Sequence, residues 1–275
     1  MEVRANSSSF DEHLAQPAPE WLYHYTTQVG LLGIVEEGQL RATKIQYMND
    51  STEFEWALNI AEKVCCDRNV PDLFPRRAGI ANANIFAACF CENGDLLSQW
   101  RAYSGSAYGF ALGMHASTLF RIFNQDGFQC GRCIYDAERQ AQIVGELVTD
   151  SLKQRGELNQ QAAFERGLIR VGTFFKHEKF NEENEWRIAT GPMAITDAKV
   201  GFKPGQSMPT PYFRLDLGKA RDSAIKHITV GPSPHLMLSK SSVAMLMHRH
   251  GLLPESIESQ HTADVRESSI PFRNW

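Results

Sequence analysis

The run Ile85-Phe86-Ala87-Ala88-Cys89-Phe90-Cys91 constrains the fold most. It has the length of a strand, carries no charge, and reads as the central strand of a sheet. Further strands are expected at 21–25, 40–45, 110–114, 128–135, 186–190, 212–217, 227–231 and 257–260. Helices are expected at 96–103, 137–155, 159–176 and 239–250, and two more carry recognisable ends. One starts at a Thr26 or Thr27 cap, runs through Leu31, Leu32, Ile34 and Val35, and stops at Gly38. The other opens with Asp50 as N-cap and Glu53 as its capping-box partner. Phe54, Ala57, Leu58, Ala61, Val64 and Cys65 form its buried stripe. Strands and helices are interspersed without strict βαβ alternation. The fold class is therefore α+β, with a mixed, mostly antiparallel sheet and flanking helices.

Residues 1–20 read as a flexible N-terminal arm, because Asn6-Ser7-Ser8-Ser9 is polar and Pro17-Ala18-Pro19 interrupts regular structure. Residues 21–275 read as a single domain. With 43% hydrophobic residues among 275, one substantial core is within reach. No repeat or linker divides it. The net charge of -4 argues against binding to extended nucleic acid, which calls for a basic footprint. No apolar stretch approaches the roughly 18 residues a membrane helix needs, and the first twenty residues carry no signal-peptide run. No membrane association is expected. The 6 cysteines, at Cys65-Cys66, Cys89-x-Cys91 and Cys130-x-x-Cys133, read as reduced thiols in a cytoplasmic protein. A four-thiolate zinc site from the last two pairs is a weaker reading than buried structural cysteines, and no metal is expected.

Four stretches carry chemistry. In Leu22-Tyr23-His24-Tyr25-Thr26, strand alternation puts Tyr23 and Tyr25 on one face and His24 on the other with Leu22 and Thr26. His24 can donate to a ligand hydroxyl while an aromatic offers a stacking surface; the structural alternative is a buried histidine bonded to a carbonyl. In Glu183-Asn184-Glu185-Trp186-Arg187, continuation as a strand would align Glu183, Glu185 and Arg187 on one face. Paired carboxylates raise one another's pKa and an arginine lowers it, so the trio suits acid or base chemistry; the alternative is a solvated edge strand. Ser98-Gln99-Trp100-Arg101-Ala102-Tyr103 supplies polar groups before a glycine-flanked loop that ends at Tyr108-Gly109. In Tyr47-Met48-Asn49-Asp50, Asn49 is left over once Asp50 caps its helix, and is available to a ligand.

These blocks, with Gly109-Phe110-Ala111-Leu112-Gly113, Ile228-Thr229-Val230-Gly231-Pro232 and Ser269-Ile270-Pro271-Phe272-Arg273, resemble the bacterial domain-of-unknown-function family 2971. The opening, a first strand ending in His24 and a short helix closed by Gly38, is also similar to the start of ADP-ribosyltransferase folds. That resemblance implies NAD as substrate. It gives His24 the adenosine ribose, Tyr103 or Tyr108 the nicotinamide, and Glu185 or Glu183 the ribose as nicotinamide leaves; Glu183-x-Glu185 resembles the paired acids of the arginine-modifying branch. Tyr25, Thr26, Asn49, Gln99 and Arg101 complete the expected nucleotide contacts, and Glu267 is a rival acid. The acceptor is an unknown macromolecule or water, and the resemblance is compatible with microbial defence or toxicity. The other reading is a non-catalytic nucleotide- or protein-binding module of the same fold.

Overall fold

The apolar run at 85–91 forms a strand paired along both edges. The computed structural model describes residues 8–48, 53–75, 77, 80, 83–103, 108–205, 207–253 and 264–271. Its strands are β1 (Trp21–Thr26), β2 (Gln39–Lys44), β3 (Phe86–Cys91), β4 (Phe110–His115), β5 (Gln129–Arg132), β6 (Glu185–Ala189), β7 (Val200–Pro204), β8 (Pro209–Asp216), β9 (Ile225–Val230) and β10 (Asp264–Glu267). Its principal helices are α1 (Ser9–Leu14), α2 (Gln28–Glu37), α3 (Glu53–Asp67), α4 (Leu97–Tyr103), α5 (Ala116–Gln125), α6 (Ala137–Leu152), α7 (Glu157–Gly172) and α8 (Leu236–Arg249).

The strands join one sheet in the order β10-β9-β4-β1-β3-β2-β8-β7, with β6 on the other edge of β3 and β5 beyond it. Every described pairing between these strands is antiparallel except β10 with β9. The sheet is thus mixed and mostly antiparallel, as the sequence predicts.

One edge of β3 is shared. β6 runs along the whole of the other edge, from Cys91 opposite Glu185 to Ala87 opposite Ala189. On the shared edge β2 pairs at Phe86 and Ala87, whereas β1 pairs at Cys91. The sheet forks there, with Cys89 between the two contacts. β1 and β2 are joined by α2, which Thr27 caps by accepting from the Gly30 amide and Gly38 closes in the left-handed conformation at φ 66°.

Strand alternation sorts the side chains onto two faces. On one face Leu22, Leu40, Phe86, Ala88, Phe90, Trp186 and Ile188 pack with Leu31 and Ile34 of α2, Phe123 of α5 and Val243 of α8. On the other, Ala87 and Ala189 pack with Phe54 and Ala61 of α3, Val144 of α6 and Phe164 of α7. Tyr25, Cys91, Ala111 and Trp100 of α4 extend that second face.

Several expectations change. The segment read as a flexible arm contains α1: Ser8 caps it, Phe10 is buried, and its ring stands 5.7 Å from that of Phe174. Arg170 adds a 2.6 Å contact to Asp11. The apolar anchor within a polar stretch outweighs local composition. β7, α5 and β10 were not anticipated, and the strand expected at 128–135 narrows to Gln129–Arg132. The Asp50 cap, Asn49 and the strand expected at 257–260 lie outside the described residues. Among the described residues no helix is long and apolar enough to cross a membrane.

Candidate functional site

The fork exposes a backbone carbonyl that a side chain takes up. His24, on β1, places Nδ1 2.9 Å from the carbonyl oxygen of Cys89 on β3. A carbonyl only accepts, so Nδ1 carries the proton. Burial pushes the imidazole pKa down, the Cys89 carbonyl acts against that, and nearby Lys203 adds to it. The ring is therefore neutral at neutral pH, and Nε2 presents a lone pair. With this tautomer Nε2 can accept a hydrogen bond but has none to donate, the reverse of the donor chemistry the sequence reading gave it. The carbonyl bond of the structural alternative is present as well, and it is what orients the ring.

The thiol of the same Cys89 is pushed well above the ordinary thiol range by burial and by the field of Glu185. Cys89 thus holds His24 through its carbonyl and stands in the field of the acid through its side chain. Glu185 begins β6 on the face of Arg187, and both are buried. Arg187 Nε donates to Glu185 Oε1 at 2.6 Å, and Lys176 Nζ donates to Glu185 Oε2. Lys176 also donates to Glu183 at 2.5 Å. Burial alone would raise the Glu185 carboxyl, but Arg187, Lys176 and the bond from Arg187 together outweigh it and hold it at about 2. Among the described residues two carboxylates and two cations form an ionic cluster, in which Glu185 is an anion near neutrality and cannot serve as a general acid there.

Sequence-distant backbone contacts place the cluster. The Lys176 amide donates to the Ile134 carbonyl at 3.0 Å, and buried Gln140 donates to the Lys176 carbonyl at 2.9 Å. Arg187 Nη1 donates to the Thr173 carbonyl at 2.6 Å, and the Glu185 amide donates to the Tyr135 hydroxyl. Glu183 is not in the strand, contrary to expectation. It ends a 3-10 turn at Glu178–Glu183, and Asn184 reverses the chain at φ 40°. The turn brings Glu183 back onto Lys176, so the two acids share one lysine and do not line one strand face.

Tyr103, at the end of α4, stands in the field of Cys89, Glu185 and Glu183, and burial pushes its hydroxyl well above the ordinary range. Cys89, Glu185 and Tyr103 therefore stand together, and His24 is tied to them through the Cys89 carbonyl. What kind of chain carries this arrangement is partly answered by comparison. Residues 99–188 match the family model described as protein of unknown function (DUF2971). The DUF2971 match runs from α4 through β6, so it takes in Tyr103, Lys176, Glu183, Glu185 and Arg187 and leaves out β1 with His24. It supports the family resemblance and carries no activity. No curated protein and no solved structure matches the chain.

The other expected contacts disperse. Tyr25 turns away: its hydroxyl donates to the Asn93 carbonyl and accepts from the Leu96 amide, each at 2.9 Å, which ties β1 to the start of α4. Thr26 lies against Gly30 of α2, where a side chain on residue 30 would strike its hydroxyl. Gln99 is buried within α4, Arg101 is exposed, and Tyr108 stands exposed just before β4. Glu267 is on the edge strand β10, paired with Lys240 at 2.7 Å.

Among the described residues no cysteine is joined in a disulfide. Cys133 lies near Cys91, and Cys89 and Cys91 share the Glu185 face, but Cys130 packs on the face of Phe86 and Ile188, so the four thiols do not converge on one ion. Among the described residues no group of three His, Cys, Asp or Glu is placed to hold a metal. Sequence reading missed Cys89 as the joint and Lys176 as the ionic centre. An uncharged cysteine in an apolar strand and a lysine beyond a helix give no local signal.

Proposed function

We propose that the chain is an NAD-using ADP-ribosyltransferase-like enzyme that breaks the nicotinamide–ribose bond. The observation that carries this reading is the junction at Cys89, whose carbonyl orients a neutral histidine with a free lone pair and whose side chain stands in the field of an ionised, desolvated glutamate. His24 Nε2 accepts a hydrogen bond from a ribose hydroxyl and positions the nucleotide. Tyr103 offers its ring to the nicotinamide. As the glycosidic C–N bond breaks, nicotinamide leaves with the bonding electrons and positive charge spreads over ribose C1 and its ring oxygen. The fixed negative charge of Glu185 stabilises that oxocarbenium-like state, and being ionised already it needs no proton transfer to do so. An acceptor nucleophile, water or a group on an unknown macromolecule, then bonds to C1 and loses its proton.

The second reading, a nucleotide-binding module without turnover, is favoured by one specific observation. Both Glu185 oxygens are already bonded within the cluster, which is what a purely structural ion pair requires. Incubation of the protein with NAD, with cell lysate supplied as acceptor, separates the two. Release of nicotinamide by the wild type, and its loss in folded Glu185→Gln that still binds NAD, supports the enzyme. Binding without release in the wild type supports the module.

A further inference from the structure

On the β2–β7 side of the fork, cations gather that no carboxylate pairs with among the described residues. Arg41 projects from β2 on the face of Thr43, opposite Arg214 of β8. Its guanidinium carbon lies 5.2 Å from the centre of the Tyr212 ring, and one terminal nitrogen reaches Gly33 of α2, the helix that spans the fork. Lys203 reaches back from β7, and its Nζ donates to Thr43 Oγ1 at 3.1 Å. Lys203 lies within the fields of Arg41, Cys89 and His24. Among the described residues neither Arg41 nor Lys203 has an ion-pair partner, while other arginines and lysines of this molecule are matched to acids. Arg214 spends one nitrogen on the Ala198 carbonyl.

Like charges set side by side on a sheet cost folding free energy. Such an arrangement is explained when an anion completes it. A guanidinium offers paired donors in a plane that matches phosphoryl oxygens, an ammonium adds a point charge, and the Thr43 hydroxyl, accepting from Lys203, still has its proton to give.

We propose that Arg41, Lys203 and Thr43 form a phosphoryl-binding subsite beside His24, which takes the diphosphate of a nucleotide ligand. The identity of the whole ligand rests on the NAD reading; the anion chemistry of the subsite does not. The diphosphate lies on the cationic side of the fork, the ribose at His24, and the reacting end toward Glu185 across Cys89.

The test is calorimetric titration of the full chain with ADP-ribose, inorganic diphosphate and adenosine, using wild type, Arg41→Gln and Lys203→Met, with thermal melts alongside. ADP-ribose affinity should fall at least about tenfold in each variant, with adenosine unchanged and inorganic diphosphate no longer bound. Melting temperatures without ligand should hold or rise, because a repulsion has been removed; a merely structural role for either cation would lower them. Unchanged ADP-ribose affinity in both variants, or failure of diphosphate to bind the wild type, overturns the subsite. The two proposals fail separately. Diphosphate binding that the variants lose, in a protein that never releases nicotinamide, keeps the subsite and removes the NAD reading. Nicotinamide release with an unchanged KM in both variants does the reverse.

Discussion

At the scale of single residues, two histidines of the sheet differ in what their ring nitrogens meet. His24 is oriented by a partner at Nδ1, and in the proposed reading its Nε2 takes a ligand hydroxyl, whereas His227 on β9 is buried with Nε2 unpartnered among the described residues. The His227 ring lies 5.6 Å from Trp21 and 5.3 Å from Tyr23, over Gly113. Burial, reinforced by Arg266, pushes its pKa down to about 4. The unfolded chain therefore takes up this proton first as pH falls. Stability from His227 is complete above about 6.5 and is lost between there and about 4, on the order of 3 kcal/mol in all. Denaturant melts of wild type between pH 7.5 and 4.5 should show this decline, and His227→Leu should flatten it. An equal slope in the variant would mean that other groups dominate. Little of this was legible in advance. His24 stood out because an aromatic strand frames it, but its role as an acceptor depends on a carbonyl 65 positions away.

Among elements, those specified by local chemistry were readable and those specified by long-range pairing were not. Thr27 and Gly38 delimit α2, and the stripe Phe54, Ala57, Leu58, Ala61 and Cys65 marks α3. β7 escaped notice because Val200-Gly201-Phe202-Lys203-Pro204 lacks strand alternation and ends in proline; it forms because β8 offers an edge and Tyr212 lies over Gly201. Glu183 was misplaced because nothing in the local pattern announces the turn at Asn184. The segment after β10 behaves as a strap. Asp95 accepts from Trp100 Nε1 at 2.8 Å, from Ser268 Oγ at 2.5 Å, and from the Ser269 amide and hydroxyl at 2.7 and 2.8 Å. One carboxylate thus ties the chain after β10 to α4, which carries Tyr103. Asp95→Ala should speed amide exchange at Ser269 and Ile270 and along α4 by about tenfold or more, with β3 unaffected. Unchanged exchange in α4 would show that Trp100 packing alone holds that helix.

For the whole molecule, β3 is the member on which two half-sheets and the β5–β6 pair converge. Its central position was read correctly from its apolar run, but the fork was not, because no local pattern tells which strands share an edge. Amide exchange should be slowest in β3 and β6 and fastest in the edge strands β7 and β10. Slow exchange confined to the β8–β9 region would contradict this hierarchy. The junction at Cys89 also explains why the residues of the proposed site sit so far apart in sequence: the histidine comes from β1, the glutamate from β6 and the cations from β2 and β7, each placed by its strand in the sheet. The measurement that tests this account most directly is the steady-state kinetics of nicotinamide release from NAD by wild type, His24→Ala and Glu185→Gln. The account predicts that His24→Ala raises KM with a smaller effect on kcat, and that Glu185→Gln lowers kcat by about a hundredfold or more with KM nearly unchanged. Equal rates in folded wild type and Glu185→Gln would contradict it.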